Sequence, residues 1–365
     1  MRTELLWEFP LTSEGVGGIV ASEDMVVVSG RDINDQSDEF FVLNAENGGL
    51  ITKHQYLAAG MLDYGNTPRA TPVIGSELVY GLGAFGHLIA IDPVQGRVRW
   101  EKHLVNTFGG RRPTWGYCAS PLLVDDLLIV QPGGLQCSIV ALDALTGAVR
   151  WQSASQHPSA YASPSLILSR KILGNETSIV ACDQVGMFGC SLRDGRELWR
   201  VLPKEPGEFM VPSPIVVNDA IYWLGENNGM RRFVLPANNG VPSLIAQNSD
   251  VTNDTHSPIY WGGRIVSISD AMVLLDPESG LKVVDRLQHK SLDSYSAMMT
   301  ESDRALICCS DGTLLLVKLI NGKLQLVDQS QPHRNEASIL SQPAFCNGLL
   351  YIRKTRSIVC YRLEH

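Results

Sequence analysis

The sequence predicts an all-β fold, an eight-bladed β-propeller of four-stranded antiparallel blades in which the N-terminal strand closes the last blade. Three observations lead to this prediction. A turn glycine recurs at intervals of about 40 to 51 residues, the period of a propeller blade. Short stretches of alternating apolar and polar residues lie between Gly, Asn and Asp turns, without a long helical pattern. The two chain ends carry complementary parts of one repeat.

Each repeat unit carries two sequence markers. The turn glycines are Gly48, Gly96, Gly147, Gly195, Gly240, Gly280 and Gly322. A Ser-Pro or similar pair, followed by alternating apolar residues, opens most units, as in ASPLLVDDLLIV from residue 119 and PSPIVVNDAIYW from residue 212. Each opening is typical of a strand, a tight turn and a second strand. Four short strands per unit therefore fit the observed period.

The chain ends predict how the ring closes. Leu5-Leu6-Trp7-Glu8 matches the end of the AVRWQ unit but has no third strand before it, whereas SIVCYRLE at 357–364 matches the third strand SIVALDAL at 138–145 and then stops. Pairing these ends leaves no terminal blade with an exposed edge. We therefore expect a single domain over residues 1–365, with blades at about 16–57, 70–104, 119–153, 162–202, 212–248, 256–287, 296–329, and 341–362 plus 3–11.

The unit ALDALTGAVRW, residues 141–151, predicts how adjacent blades dock. Asp143 and Thr146 are suited to hydrogen-bond the turn backbone, Gly147 to take a positive φ, and Trp151 to pack between blades. The unit AIDPVQGRVRW, residues 90–100, repeats the pattern. The remaining residues predicted for this docking role are Trp7, Trp100, Trp199, Asp92 and Gly96. Later units such as DPESGLKVV carry aliphatic or polar substitutes.

Composition excludes several classes of function. Hydrophobic residues make up 44% and charged residues 19% of the chain, which is typical of a globular protein, and a net charge of -8 disfavours a nucleic-acid binder. No apolar run is long enough for a membrane span, and the start lacks the layout of a secretory leader. The eight cysteines lack zinc-ligand spacing, so no metal site is expected. Localisation stays open: periplasm or cell envelope if a native leader precedes Met1, and cytoplasm otherwise.

The pattern Ala-x-Asp-x-x-Thr-Gly-x-x-x-Trp resembles the tryptophan-docking repeat of the bacterial pyrroloquinoline-quinone (PQQ) dehydrogenase-like family. ALDALTGAVRW matches it fully and AIDPVQGRVRW lacks only the Thr. The resemblance implies an eight-bladed propeller, in which the quinone enzymes hold PQQ and calcium at one face. It does not imply quinone chemistry, because the family includes non-catalytic members such as the outer-membrane assembly lipoprotein BamB. The adjacent Cys308 and Cys309 are expected on an inner strand, facing opposite sides.

Candidate binding residues lie in the connections between blades. The connection NTFGGRRPTWGY, residues 106–117, combines arginine with aromatic residues, which is the composition of binding hot spots. The candidates on this face are Tyr64, Arg69, Arg111, Arg112, Trp115, Tyr117, His157, Tyr161, His256, His333 and Arg334, with Glu205, Glu208, Asp254, His289 and Asp293 as further rim residues. Packing against neighbouring blades is the alternative role for the aromatic residues, and solvation at the rim is the alternative for the polar ones.

We expect a non-catalytic ring without a cofactor that acts as a binding or assembly scaffold for a protein, peptide or glycan partner, and that is monomeric by itself. Closure fixes the connecting loops at constant spacing, so binding orders little of the propeller. Two alternatives remain open at this point. One is an oxidoreductase that uses PQQ and calcium on an alcohol or sugar, and the other is a polysaccharide hydrolase or lyase.

Overall fold

A computed structural model describes residues 2–135, 137–154, 157–168, 177–236, 240–332 and 339–364. These residues form eight four-stranded sheets in which every neighbouring pair of strands is antiparallel. The predicted eight-bladed propeller is therefore confirmed. Blades are numbered here from the first complete one, and their strands run in chain order from the axis to the rim, except that β1 is the outermost strand of blade 8.

The first four blades contain 16 strands. Before them comes β1 (Arg2–Pro10), which belongs to blade 8. Blade 1 consists of β2 (Val20–Ala21), β3 (Met25–Arg31), β4 (Ser37–Asn44) and β5 (Leu50–Leu57). Blade 2 consists of β6 (Val73–Ile74), β7 (Val79–Leu82), β8 (His87–Asp92) and β9 (Arg97–His103). Blade 3 consists of β10 (Leu122–Val124), β11 (Leu127–Val130), β12 (Val140–Asp143) and β13 (Val149–Gln152). Blade 4 consists of β14 (Ser165–Ile167), β15 (Ser178–Cys182), β16 (Met187–Ser191) and β17 (Glu197–Val201).

The other four blades complete the ring. Blade 5 consists of β18 (Ile215–Val217), β19 (Ala220–Gly225), β20 (Gly229–Val234) and β21 (Ser243–Asn248). Blade 6 consists of β22 (Ile259–Trp261), β23 (Arg264–Ile268), β24 (Ala271–Asp276) and β25 (Lys282–Gln288). Blade 7 consists of β26 (Ala297–Glu301), β27 (Arg304–Cys308), β28 (Leu314–Ile320) and β29 (Lys323–Ser330). Blade 8 consists of β30 (Ala344–Cys346), β31 (Leu349–Arg353), β32 (Ser357–Glu364) and β1.

The N-terminal strand closes the ring as predicted. β1 pairs with β32 over its whole length, from Arg2 opposite Glu364 to Pro10 opposite Ser357. Trp7 packs at the seam with blade 1, where its ring centroid lies 5.8 Å from that of Tyr351. Closure gives the third strand of blade 8 a partner on both edges, which removes an exposed edge that would otherwise favour aggregation.

A β-bulge interrupts the pairing of the third and outer strands in all eight blades. It sets apart one residue at an equivalent position in each outer strand, because a bulge re-aims the neighbouring side chain. In blade order these residues are Thr52, Trp100, Trp151, Trp199, Ala246, Asp285, Asp328 and Trp7. The predicted docking tryptophans thus occupy one equivalent slot, which four blades fill with other residues.

Three of these tryptophans form the same hydrogen bond to the next blade. The indole N–H donates to a turn carbonyl, from Trp7 to Ala45 at 3.1 Å, from Trp100 to Ala144 at 2.9 Å, and from Trp151 to Leu192 at 2.8 Å. The turn glycine of the receiving blade lies under the indole. A Cβ at Gly147, where φ is 71°, would come within 2.7 Å of the Trp100 ring. Glycine is therefore required there for both conformation and space.

The turn itself is held by its aspartate. Asp143 Oδ1 accepts from the Thr146 backbone N–H and hydroxyl, both at 2.8 Å, and these bonds lower the pKa of Asp143. In blade 6 the slot residue is Asp285, whose carboxylate accepts from the Leu324 backbone N–H of blade 7 at 2.6 Å. A direct hydrogen bond to the backbone thus takes the place of the slot indole at the seam between blades 6 and 7, where the Trp261 indole N–H also donates to the Ser302 carbonyl at 2.9 Å.

The Ser-Pro pairs that open the units form a chain of hydrogen bonds around the axis. The backbone N–H of Thr71 donates to Ser120 Oγ, that of Ser120 to Ser163 Oγ, and that of Ser163 to Ser213 Oγ, at 2.8–2.9 Å. Ser213 continues the series to Ser257 in blade 6. Each serine hydroxyl accepts a hydrogen bond from a part-buried backbone N–H of the preceding blade. The Ser-Pro pairs therefore connect neighbouring blades near the axis, and we call these contacts the serine joints.

One short helix, α1 (Leu104–Phe108), begins the connection from blade 2 to blade 3. It overlaps the first residues of the connection 106–117, for which the sequence did not indicate a helix. Its Leu104 and Phe108 side chains are buried, and Gly109 ends it in the left-handed conformation with a φ of 63°. Among the described residues there is no helix with the length and apolarity that crossing a membrane requires.

Candidate functional site

The connections between blades and the turns between second and third strands lie at one end of the ring, because successive strands alternate in direction. We call this end the loop face, and the opposite end, which carries the docking turns such as 92–96 and 143–147, the turn face. The connections of the loop face are residues 11–19, 58–72, 104–121, 153–164, 202–214, 249–258, 289–296 and 331–343. An isolated bridge between Gly110 and Gly134 joins a connection to a turn at this face.

Three aromatic side chains from successive connections meet on the loop face. The Trp115 ring lies 4.8 Å from Tyr161 and 4.9 Å from Phe209 between centroids, tilted by 33° and 40°. Trp115 is the ring that contacts both of the others; Tyr161 is 7% exposed, whereas Phe209 is 49% exposed. We call these residues the aromatic cluster. They give the loop face an apolar centre that spans blades 2 to 5.

A buried tyrosine anchors the connection that carries Trp115. Tyr117 is 2% exposed and its hydroxyl donates to the Pro132 carbonyl at 3.1 Å, so it is a packing residue and is not presented to a ligand. Arg111 and Arg112 are exposed beside it. The Arg112 guanidinium lies 5.3 Å from the centroid of the Phe85 ring, within range of a cation–π contact. Both arginines thus stand at the edge of the aromatic cluster's connection.

Arg69 shapes the neighbouring connection. Its guanidinium donates to the carbonyls of Thr67 at 3.0 Å and Gly65 at 2.9 Å, and burial lowers its pKa. These bonds hold a loop in which Tyr64 has a φ of 63° and is 82% exposed. Met61 in the same loop is 87% exposed. Arg69 therefore stabilises the loop that presents Met61 and Tyr64, and its guanidinium donates to backbone carbonyls of that loop.

The described rim histidines have separate surroundings. His157 meets Ser138 through its backbone, and His289 Nε2 lies 2.9 Å from Gln329 Oε1 in blade 7. His256 is 6% exposed and burial lowers its pKa to about 4, so its side chain is not presented at the rim. His333 and Arg334 lie outside the described residues. Within the described ranges, no three His, Cys, Asp or Glu side chains are arranged to hold a metal ion.

Two buried ionic groups lie close to this face, and sequence reasoning missed most of their members. Arg31 donates to Asp38 at 2.8 Å, where burial raises the pKa of the Asp38 carboxyl to about 6. In blade 5, the Glu208 carboxylate accepts from Asn228 Nδ2 at 2.8 Å and lies 3.4 Å from Arg231. The predicted rim residue Glu208 is therefore buried, at 8% exposure, and faces Asn228 and Arg231.

The two buried carboxylates near the loop face, Asp38 and Glu208, are not arranged as calcium ligands. Calcium needs six or more oxygen ligands converging from carboxylates and carbonyls, but Asp38 and Glu208 each face an arginine. Cys308 and Cys309 are buried in two different clusters on opposite sides of β27, as alternation along a strand requires. They do not form a disulfide that caps a loop.

The fold, the docking tryptophans and the repeat define the class of this protein as a PQQ-dehydrogenase-like β-propeller, as the sequence resemblance implied. The chain belongs to the family described as "Outer membrane protein assembly factor BamB", whose family model matches residues 54–286. A sequence search among curated proteins gave no match.

Solved structures share the whole fold at low sequence identity. BamB from Moraxella catarrhalis is 15% identical with a TM-score of 0.67, and the alignment covers 100% of this chain and 99% of that one. Quinohemoprotein alcohol dehydrogenase from Comamonas testosteroni is 12% identical with a TM-score of 0.69, covering 98% of this chain and 76% of that one. A europium-containing methanol dehydrogenase is 12% identical with a TM-score of 0.69, covering 99% and 93%. At these identities the likeness concerns the fold alone.

Proposed function

We propose that this protein is a non-catalytic scaffold that binds a protein partner through its loop face. The observation that carries the proposal is the aromatic cluster of Trp115, Tyr161 and Phe209, with Arg111 and Arg112 exposed in the connection that carries Trp115. Trp, Tyr and Arg are the residues that most often dominate binding energy at protein interfaces. The family description, an outer-membrane assembly factor, supports an assembly role.

The exposure of apolar side chains on this face also supports a macromolecular partner. Met61, Tyr64, Leu202 and Phe209 are each about half exposed or more. Large exposed apolar groups beside charged ones are typical of a protein interaction site. The loop face is held by Arg69, by α1 and by the serine joints, so that binding orders few new side chains. A rigid apolar face favours an extended protein surface over a small polar glycan.

Site-specific photocrosslinking tests this proposal. A benzoylphenylalanine at Arg111 or at Tyr64 is expected to crosslink to the partner in the source cells, whereas one at Val94, 92% exposed on the turn face, is expected not to. The crosslinked protein is identified by mass spectrometry, purified and titrated against the wild-type chain by calorimetry. Crosslinks of equal yield from both faces, or no binding between the purified pair, would refute the proposal.

The same preparation tests the two enzymatic alternatives. Purified protein is titrated with PQQ and Ca²⁺ while the quinone absorption and alcohol-dependent dye reduction are recorded. Saturable turnover would replace the scaffold proposal by an oxidoreductase. Cleavage of any member of a polysaccharide panel would replace it by a hydrolase or lyase, and binding without cleavage would change the partner to a glycan. We expect none of these signals.

A further inference from the structure

The seam between blades 4 and 5 differs from the seams that indoles close. Trp199 occupies the docking slot and is 3% exposed, yet its indole N–H has no acceptor among the described residues. The turn sequence of blade 5, PANNGVPS at 236–243, lacks the Asp-x-x-Thr-Gly pattern of the docking turns. A cleft of about 310 Å³ lies at this seam, along the outer strands β17 and β21.

The chemistry of this cleft is divided between cationic and apolar side chains. Arg200, Lys204 and Arg231 line it, and the described lining includes no carboxylate. Phe233 and Leu244 form part of its apolar wall. Arg200 is already engaged by Asp183 at 2.8 Å and Glu197 at 2.7 Å, so it contributes shape more than free charge. Lys204 is 78% exposed at the mouth and lies 3.9 Å from Glu205.

Arg231 is the cation that lacks a full set of partners. Its side chain is 3% exposed, and its guanidinium carbon lies 4.0 Å from the centroid of the Trp223 ring. The separation from Glu208 is 3.4 Å, longer than the usual 2.7–2.9 Å of a charge-assisted hydrogen bond. Its Nε–H has no acceptor among the described residues. An unsatisfied donor on a buried charge is costly, and a bound anion would relieve that cost.

We propose that this cleft binds a carboxylate carried on a small aliphatic group, either a free acid or the C-terminal residue of a peptide. Arg231 and Lys204 would hold the carboxylate, and Phe233 and Leu244 would contact the aliphatic part. Arginine pairs with carboxylates through several donors, and the Nε–H of Arg231 is a donor that lacks an acceptor among the described residues. The volume is near the lower limit of ligand pockets and fits a single residue. The cleft shares Leu202 and Lys204 with the loop-face connection 202–214, but the proposal does not depend on the proposed scaffold function.

Calorimetric titration with matched probes tests the proposal. N-acetyl-leucine is expected to bind, and its amide to bind roughly 10- to 100-fold more weakly, because one charge-assisted interaction is lost. A tripeptide ending in a free leucine is compared with the same peptide amidated at its C-terminus. Tighter binding of the free peptide than of N-acetyl-leucine would assign the site to peptide termini, and equal affinity would assign it to small acids. Equal affinity for acids and amides, or no binding at all, would overturn the proposal.

Variants locate the binding in the cleft. Arg231→Gln is expected to lower the affinity for the acid at least tenfold, whereas Arg232→Gln, one residue along β20, is expected to leave it within about twofold. Because Arg231 is buried, folding is checked by circular dichroism. Leu244→Glu provides an independent test at a position that is 49% exposed, with Ile245→Glu, 51% exposed and outside the cleft lining, as its control. Equal losses in Leu244→Glu and Ile245→Glu would refute the assignment.

Discussion

The docking turns give a quantitative prediction through two glycines with the same backbone conformation. Gly147 has a φ of 71° and a Cβ there would meet the Trp100 ring at 2.7 Å, whereas Gly280 has a φ of 72° and a Cβ there would meet no heavy atom within 4 Å. Replacing either glycine by alanine puts a residue with a Cβ into the left-handed conformation, which is expected to lower the free energy of unfolding by about 1–2 kcal/mol. Only Gly147→Ala also pushes a methyl group against the Trp100 indole, and this overpacking is expected to lower the free energy of unfolding by about 1–3 kcal/mol more.

Urea unfolding followed by far-UV circular dichroism measures this difference, provided that the two variants keep the same denaturant slope. Gly147→Ala is expected to lose about 1–3 kcal/mol more stability than Gly280→Ala. In a Trp100→Leu background the indole is absent, so the cost of Gly147→Ala is expected to fall to that of Gly280→Ala. Equal losses for both glycines in the wild-type background would show that the indole does not restrain the turn, and would refute this account of docking.

Three further predictions concern the joints, the acid response and ring closure. Ser163→Ala leaves the Ser120 N–H without its acceptor and is expected to cost about 1–3 kcal/mol in urea unfolding, while Ser163→Thr, which keeps an oxygen, is expected to cost less. Burial holds the pKa of His256 at about 4 against about 6.5 in the unfolded chain, so the unfolded state takes up a proton first and stability is expected to fall by about 3 kcal/mol as the pH drops from 6.5 to 4. His256→Leu should flatten that slope, and an unchanged slope would contradict the assignment. Deletion of residues 2–10 exposes the edge of β32 and is expected to cause association in light scattering, and a stable monomer would argue against closure by β1.

The architecture was predictable because most blades carry the same sequence markers within their own residues. The period of the turn glycines, the alternation within strands and the complementary ends together determine eight blades and the strand that completes the last one. The pattern around Trp100 and Trp151 also predicted docking between blades, and the indoles donate to turn carbonyls of the next blade. The role of the Ser-Pro pairs was not predicted, because their hydrogen bonds join blades that are distant in sequence.

The loop face was only partly predictable. Trp115 and Tyr161 were identified by composition, but Phe209 was missed because a lone phenylalanine in GEFMVPSP has no distinguishing pattern. Phe209 lies four residues before the opening Ser213-Pro214 pair, whereas Trp115 lies five residues before Ser120-Pro121, so a fixed offset from these pairs would not have found it. Burial of Tyr117 and His256 follows from the path of each connection into the seam, which residue type does not reveal.

The central claim is that the loop face, through its aromatic cluster, binds a protein partner. The most direct measurement is calorimetric titration of the purified crosslinked partner against three variants of the chain. Phe209→Glu and Arg112→Glu change exposed loop-face residues and are each predicted to weaken binding at least tenfold, because they place charge in or beside a hot spot. Val94→Glu changes an exposed apolar residue of the turn face and is predicted to bind like the wild type. Wild-type affinity in both loop-face variants, or an equal loss in Val94→Glu, would contradict the claim.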